Sequence, residues 1–214
     1  AHVAAGTMAF ADALGIVRRR GRYMQEAVPV GEGAMAAVLG LDADEVGRAC
    51  ADSGQGEVVS PANLNAPDQV VIAGAREAVG RAGEASKRLG AKRVVPLTVS
   101  APFHCALMQP AADRLAPELR ALEVADPTVP VVANVDAQPK LEAAEAIEAL
   151  IGQIASPVLW EQVVKRLASD GADTYLEVGP GSVLTGLMRK IDRSLRAVAA
   201  DSLPTLDHAK ESIG

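Results

Sequence analysis

Between residues 31 and 99 the chain runs through six short segments whose order leaves few folds open. "GAMAAVLGL", "GEVVSPANL", "DQVVIAGA" and "KRVVPLTVS" are short apolar runs bounded by Gly, Asp and Asn, and read as strands. "DADEVGRACADS" and "REAVGRAGEASKRLG" carry helical spacing. The order strand, helix, strand, strand, helix, strand is that of a split βαβ, or ferredoxin-like, unit. The turn signals "NLNAPDQ" and "LGAK" fall between elements where that order needs them. The segment is therefore expected to form a small inserted domain, residues 31–99, interrupting a larger one built from residues 1–30 and 100–214.

The flanking sequence has a different texture. Over residues 7–25, Phe10, Ala13, Leu14, Val17 and Met24 recur at helical spacing, with Thr7 as the expected N-cap. At about 100° per residue, Arg20 falls inside the apolar arc between Ile16 and Val17, whereas Arg18 and Arg19 point away from it. An arginine aimed inward needs a partner. After His104 the spacing of Leu107, Ala111, Leu115, Leu119 and Leu122 predicts another helix, kinked or broken at Pro117. "VPVVANV" at residues 129–135 reads as a buried strand. A helix is expected over 142–154, with Ile147, Leu150, Ile151 and Ile154 inward and Gln153 at its C-terminal end. Ser156 and Pro157 are placed as N-cap and N1 of the next helix, which carries Trp160, Val163, Val164 and Leu167. "DTYLEVGPGSVLTGLMRKI" reads as strand, turn and helix, and "RAVAAD" as a last strand. Alternating strands and helices imply an α/β domain with a mainly parallel sheet.

Composition excludes several functions. A net charge of -6, from 21 basic and 27 acidic residues, argues against a general nucleic-acid binder, and 2% aromatic content leaves few rings to stack on bases. Cys50 and Cys105 have no paired spacing, and the histidines at 2, 104 and 208 are scattered, so neither a disulfide framework nor a metal site is read and none is expected. A reducing, cytoplasmic location follows, with no membrane association, since no apolar run is long enough to span a bilayer.

Two residues stand out chemically. A lone histidine near a strand end is ordinarily a core residue donating one N–H to a carbonyl. His104 lies where a strand hands over to a helix, a place where α/β folds expose catalytic groups, so the sharper reading is a general base serving a hydroxyl nucleophile. Arg20 can lie across the core rim with its head in water, or its planar fork can grip a carboxylate. Together the pair describes a site that holds an acid and moves a proton. "VGPGS" at residues 178–182 precedes a helix but lacks the fuller phosphate-loop pattern, and reads better as a tight turn. Asn63, Asn65 and Gln69 alone are ordinary loop polarity.

"RGRYMQEAVPVGEGAMAAVLGL", "SPANLNAPDQVVIAG", "VPLTVSAPFHCALM", "SPVLWEQV" and "YLEVGPGSVLTGLMRKI", in this order, resemble the malonyl-CoA:acyl carrier protein transacylases of bacterial fatty acid synthesis across essentially the whole chain. The resemblance implies an α/β-hydrolase-like large domain carrying the ferredoxin-like insertion. It makes His104 the base paired with a serine, Gln153 the residue whose backbone carbonyl orients that histidine, and Arg20 the clamp on the malonyl carboxylate. It places Asn63, Asn65, Gln69 and Arg93 along the cleft for the coenzyme A or phosphopantetheine arm. It makes Phe103 the bulky neighbour that excludes an α-methyl branch. Malonyl-CoA and acyl carrier protein are the implied partners of a monomer that uses no cofactor, the coenzyme A thioester being substrate. Arg189 and Lys190 are candidates for docking the acidic carrier protein.

The family's nucleophile sits in a G-H-S-L-G elbow, and no G-x-S-x-G occurs in these 214 residues. The chain is expected to start just after that elbow, with the large domain incomplete and the chain inactive by itself. An acyltransferase of a polyketide synthase system and a non-catalytic carrier-protein-binding fragment are the alternative readings.

Overall fold

The computed structural model describes residues 1–207; His208 lies outside the described residues. Four strands, β1 (Gly33–Leu39), β2 (Val59–Ala66), β3 (Gln69–Ala75) and β4 (Arg93–Pro96), form an antiparallel sheet in the order β2-β3-β1-β4. Two helices, α2 (Ala43–Ser53) and α3 (Arg76–Arg88), cross one face. This is the βαββαβ topology read from the sequence. Local chemistry fixes the entry to α2: the Asp42 carboxylate accepts from the Glu45 N–H at 2.8 Å while Glu45 reaches back to the Asp42 N–H, so two otherwise orphaned donors are satisfied.

β3 is buried on both faces, and its alternation separates two cores. Val70 and Ile72 join Val38, Val46 and Val79 beneath the helices. Val71 and Ala73 face the other way, onto Cys105, Phe103 and Leu107. The sheet thus forms a floor for the loop that carries His104.

The larger lobe is built from α1 (Phe10–Glu26), α4 (Gln109–Arg120), α5 (Ala143–Gly152), α6 (Trp160–Ser169) and α7 (Val183–Ile191). Its strands are an antiparallel pair, β5 (Val131–Val132) with β6 (Pro139–Lys140), and a parallel pair, β7 (Thr174–Val178) with β8 (Arg196–Ala200). Parallel strand pairing, expected to predominate in this lobe, is confined to β7–β8 among named strands. The 129–135 segment pairs over only two residues and is half-buried, not a buried strand.

α1 differs from its sequence reading at both its start and its face. It begins at Phe10 behind Ala9, and Thr7 is buried with its hydroxyl unpartnered instead of capping. Ile16, Tyr23 and Met24 face the core, while Phe10, Leu14 and Val17 are more than 60% exposed, at 69%, 61% and 63%. α1 is pinned to α4 by Glu118, which takes the Tyr23 hydroxyl at 2.5 Å and pairs with Arg19. α4 runs through Pro117 without breaking; the carbonyl left without its donor belongs to exposed Asp113, where water can reach it.

α6 starts at Trp160, three residues after the expected N1 position at Pro157. The reason is tertiary: the Val158 N–H donates to the Ala62 carbonyl and the Leu64 N–H to the Val158 carbonyl, both at 2.8 Å, so this stretch is committed to β2 as an extended bridge. Those two bonds tie the lobes together beside the cleft. No helix among the described residues is long and apolar enough to cross a membrane.

Candidate active site

His104 sits in an irregular loop between β4 and a single 3-10 turn, Ala106–Met108, that leads into α4. Its neighbours Phe103 and Cys105 are held against the small sheet, the Cys105 thiol donating to the Pro102 carbonyl at 3.1 Å. His104 itself has φ 61°, a left-handed conformation that costs a non-glycine residue about 1–3 kcal/mol and persists only where its surroundings impose it.

The imidazole is oriented from α5. That helix ends at Gly152, so the carbonyl of Gln153 lacks an intrahelical donor. It lies 3.0 Å from His104 Nδ1. A carbonyl can only accept, so Nδ1 carries the proton and Nε2 presents its lone pair. Burial pushes the His104 pKa down and the nearby Arg20 charge adds to this, against opposing contributions from the backbone at Gln153 and Ser156. The net direction is downward, so the ring is neutral near pH 7, the form a base requires.

Arg20 reaches the same space from α1. It lines a cavity of about 400 Å³ together with His104, Gln153, Asn134, Val158 and His2. Its Nε is buried with no hydrogen-bond partner, and it makes no ion pair with any carboxylate of the described residues. Burial depresses its pKa. A desolvated guanidinium without a counter-charge is costly unless a ligand supplies one, and its fork matches a carboxylate. Buried Ile16 lines the cavity beside it, and the largely exposed Val17 lies at its rim.

The other candidate residues lie elsewhere around the cleft. Phe103 is half-buried and packs against both the large-lobe core and the floor beneath the His104 loop. Asn63 is bridged to Val158 at the cavity rim, and Asn65 follows on β2 near a register shift. Gln69 and Arg93 flank Leu39 on opposite sides at one end of the sheet, away from the cavity lining. The Gln69 side-chain carbonyl accepts from Lys190 at 2.7 Å. Asn134 and His2, which no motif marks, are the polar lining residues that sequence reasoning missed.

The "VGPGS" segment is a turn, with Gly179 and Gly181 at φ 137° and 87°. The N-terminus of α7 that it precedes is already filled: the Glu177 carboxylate accepts from the Leu184 and Thr185 N–H groups at 3.0 and 2.7 Å. A phosphate would have to displace this internal anion. No cluster of potential metal ligands occurs among the described residues.

A neutral histidine oriented by a backbone carbonyl shares one cavity of the larger lobe with an uncompensated guanidinium, an arrangement that suits an α/β transferase of the acyl-transfer class. Comparison with known proteins agrees. A family model described as "Acyl transferase domain" matches residues 1–211, and the chain belongs to that family. It is 51% identical over 207 residues to the malonyl CoA-acyl carrier protein transacylase of Salmonella typhimurium, covering 97% of this chain and 67% of the relative. Among solved structures it superposes with TM-score 0.94 on an acyl carrier protein S-malonyltransferase from Vibrio cholerae, at 48% identity over 97% of this chain and 68% of that one. It superposes with TM-score 0.95, also at 48% identity, on a malonyl-transacylase in complex with its type II PKS acyl-carrier protein, covering 98% of this chain and 68% of that one. The chain thus spans about two thirds of the length of these relatives.

Proposed function

We propose that this chain supplies the general base and the acyl-carboxylate clamp for transfer of a malonyl group from malonyl-CoA to the phosphopantetheine thiol of acyl carrier protein. The observation that carries the reading is the placement of His104 and Arg20 on one cavity, the first with its Nε2 unengaged and the second paired with no carboxylate among the described residues. Similarity to malonyl transacylases, one of them bound to a carrier protein, supports the choice of donor and acceptor.

The reaction divides into two transfers. A serine hydroxyl, from a G-x-S-x-G segment that this sequence does not contain, gives its proton to His104 Nε2 as its oxygen attacks the thioester carbonyl carbon. The carbon–sulfur bond breaks and the departing coenzyme A thiolate takes the proton back from the imidazolium. The phosphopantetheine thiol then gives its proton to Nε2, its sulfur attacks the seryl ester, and the serine oxygen leaves with that proton. Gln153 holds the ring so that Nε2 faces the reacting atoms, the part an aspartate plays in a Ser-His-Asp triad. Arg20 binds the free carboxylate, and Phe103 crowds the space an α-methyl group would need. Asn63 and Asn65 on β2 guide the pantetheine arm, with Gln69 on β3 and Arg93 on β4 farther out at one end of the same sheet. The steps need no cofactor; coenzyme A enters and leaves as part of the substrate. The two free, buried thiols, Cys50 and Cys105, suit a reducing compartment, and we place the activity in the cytoplasm.

The test is mass spectrometry of holo-acyl carrier protein after incubation with malonyl-CoA and this chain, joined to a segment bearing the serine elbow. A malonyl adduct that disappears with His104→Ala is expected. An adduct formed equally by that variant overturns the assignment of the base.

A further inference from the structure

Arg20 and His104 belong to different elements, and neither element by itself sets the distance between them. The imidazole is oriented from α5 by the Gln153 carbonyl, and its loop is seated on the small sheet through Phe103 and Cys105. Arg20 is carried by α1. That helix must therefore be registered against the His104 segment by contacts of its own.

Such contacts fall on both sides of His104. Ahead of it, the Ser100 carbonyl accepts from the Gln25 side-chain amide at 3.2 Å, and the next residue, Ala101, is buried in one cluster with Met24 and Val28. Beyond it, Glu118 on α4 grips the residue before Arg20 and the one three places after it. Its carboxylate pairs with Arg19 and accepts from the Tyr23 hydroxyl at 2.5 Å. Arg114, one turn earlier on α4, donates to Glu26 at 2.7 Å and lies over the Tyr23 ring, 4.0 Å from its centroid. Leu115 and Leu119, on either side of Glu118 in sequence, line the cavity, so the stretch of α4 that holds α1 also forms part of the cavity wall.

We infer that Gln25 and Glu118 are positioning residues of this site. They touch no reacting atom; they fix α1 against both ends of the His104 segment, so that an acyl group held on Arg20 by its carboxylate presents its thioester carbonyl beside Nε2. This assignment rests on the proposed malonyl reading and deepens it. Pairing with Glu118 also keeps the Arg19 guanidinium on α4, where it does not compete with Arg20 for the bound anion.

A positioning role and a merely structural one have different consequences. A malonyl group is located by Arg20, so any shift of α1 carries it away from the base, and a misplacement of about 1 Å can cost about a hundredfold in rate. An acetyl group has no carboxylate, and its placement does not follow α1.

The test is steady-state transfer from malonyl-CoA and from acetyl-CoA to holo-acyl carrier protein, by the chain joined to a serine-elbow segment, with a melting curve for each variant. Gln25→Met keeps the length of the side chain and removes the donor. Its kcat for malonyl-CoA should fall about tenfold with KM changed by no more than about twofold, because the long Arg20 side chain still finds the carboxylate; acetyl transfer should stay at the parental rate. Gln25→Lys, whose ammonium can donate to the Ser100 carbonyl, should restore most of the loss. Glu118→Gln still accepts from Tyr23 but no longer pairs with Arg19, and should show a smaller loss of the same selective kind.

Either Gln25→Met or Glu118→Gln keeping the parental kcat for malonyl-CoA, or losing both donors in equal proportion, overturns the inference, and so does a Gln25→Lys enzyme no better than Gln25→Met. These outcomes leave Arg20 and His104 in their proposed roles. A parent enzyme that uses the two thioesters equally well overturns the malonyl reading itself, and the positioning role with it.

Discussion

Replacing Arg20 with alanine separates substrate recognition from folding, because this guanidinium makes no hydrogen bond or ion pair with any described residue. Its Nε is buried and unpartnered and no carboxylate of the described residues pairs with it. Removing it breaks no hydrogen bond or ion pair among the described residues, and it relieves the protein of a desolvated charge, so thermal stability should hold or rise. The bound malonyl carboxylate meets the opposite fate. Hydrogen bonds to a charged group are worth about 1.5–3 kcal/mol each, and the fork offers two; allowing for water entering the space left behind, a net loss of about 3 kcal/mol is expected. At about 1.4 kcal/mol per factor of ten, that is a fall of about two orders of magnitude in kcat/KM for malonyl-CoA. Acetyl-CoA should be used as well as before or better, since its methyl group no longer faces a stranded cation. The assay is transfer to holo-acyl carrier protein from each donor, by the chain joined to a serine-elbow segment, with a melting curve alongside. Equal losses on both donors, or a marked drop in melting temperature, would refute the argument by showing that Arg20 serves the fold.

Other perturbations probe the frame of the site. The His104 pKa lies below its ordinary 6.5, so protons are bound more readily by the unfolded chain than by the folded one between the depressed value and 6.5. Its contribution to stability should be full above pH 6.5 and decline as pH falls through that window, and the acid limb of kcat/KM should have its midpoint below 6.5; a limb at or above 6.5 contradicts the burial argument. In Gly33→Ala the new Cβ would lie 2.3 Å from the Pro102 ring, two residues before His104, so the loop must shift. A loss of about 1–3 kcal/mol in urea unfolding is expected, with a larger fractional loss of transfer activity than of stability. Glu177→Gln weakens the internal anion at the start of α7 and should cost about 1 kcal/mol, read as a shift in the urea midpoint at unchanged slope.

The small sheet was legible because its signals are local and agree with one another. The Asp42–Glu45 capping box, the turn after Ala66 and the apolar run of β3 each restrict the chain within a few residues, and all fit one topology. The larger lobe was less legible because its decisive interactions are distant. Helical spacing shows that α1 has an apolar stripe, but Phe10, Leu14 and Val17 satisfy that spacing as well as Ile16 and Met24 do, and only the position of α4 selects the inner side. Ser156–Pro157 is a sound helix start by propensity, overridden when Val158 joins β2. In the site, the inward angle of Arg20 and the position of His104 after a strand were legible, but neither residue alone specified a role. His2 was not legible, since no pattern links residue 2 to residue 104; only the folded chain brings them to one cavity.

The partner of the His104 ring is a main-chain oxygen, and this changes what kind of alteration could disturb it. A carboxylate in that place would be erased by one substitution and neutralised by acid; the Gln153 carbonyl is exposed to neither. What it does depend on is counting: deleting a single residue within Ala143–Gly152 would turn the last peptide of α5 by about 100° and aim the oxygen elsewhere. The aim of the base is thus written in the length of a helix, and insertions and deletions there should prove far less tolerable than changes in the side chain at 153.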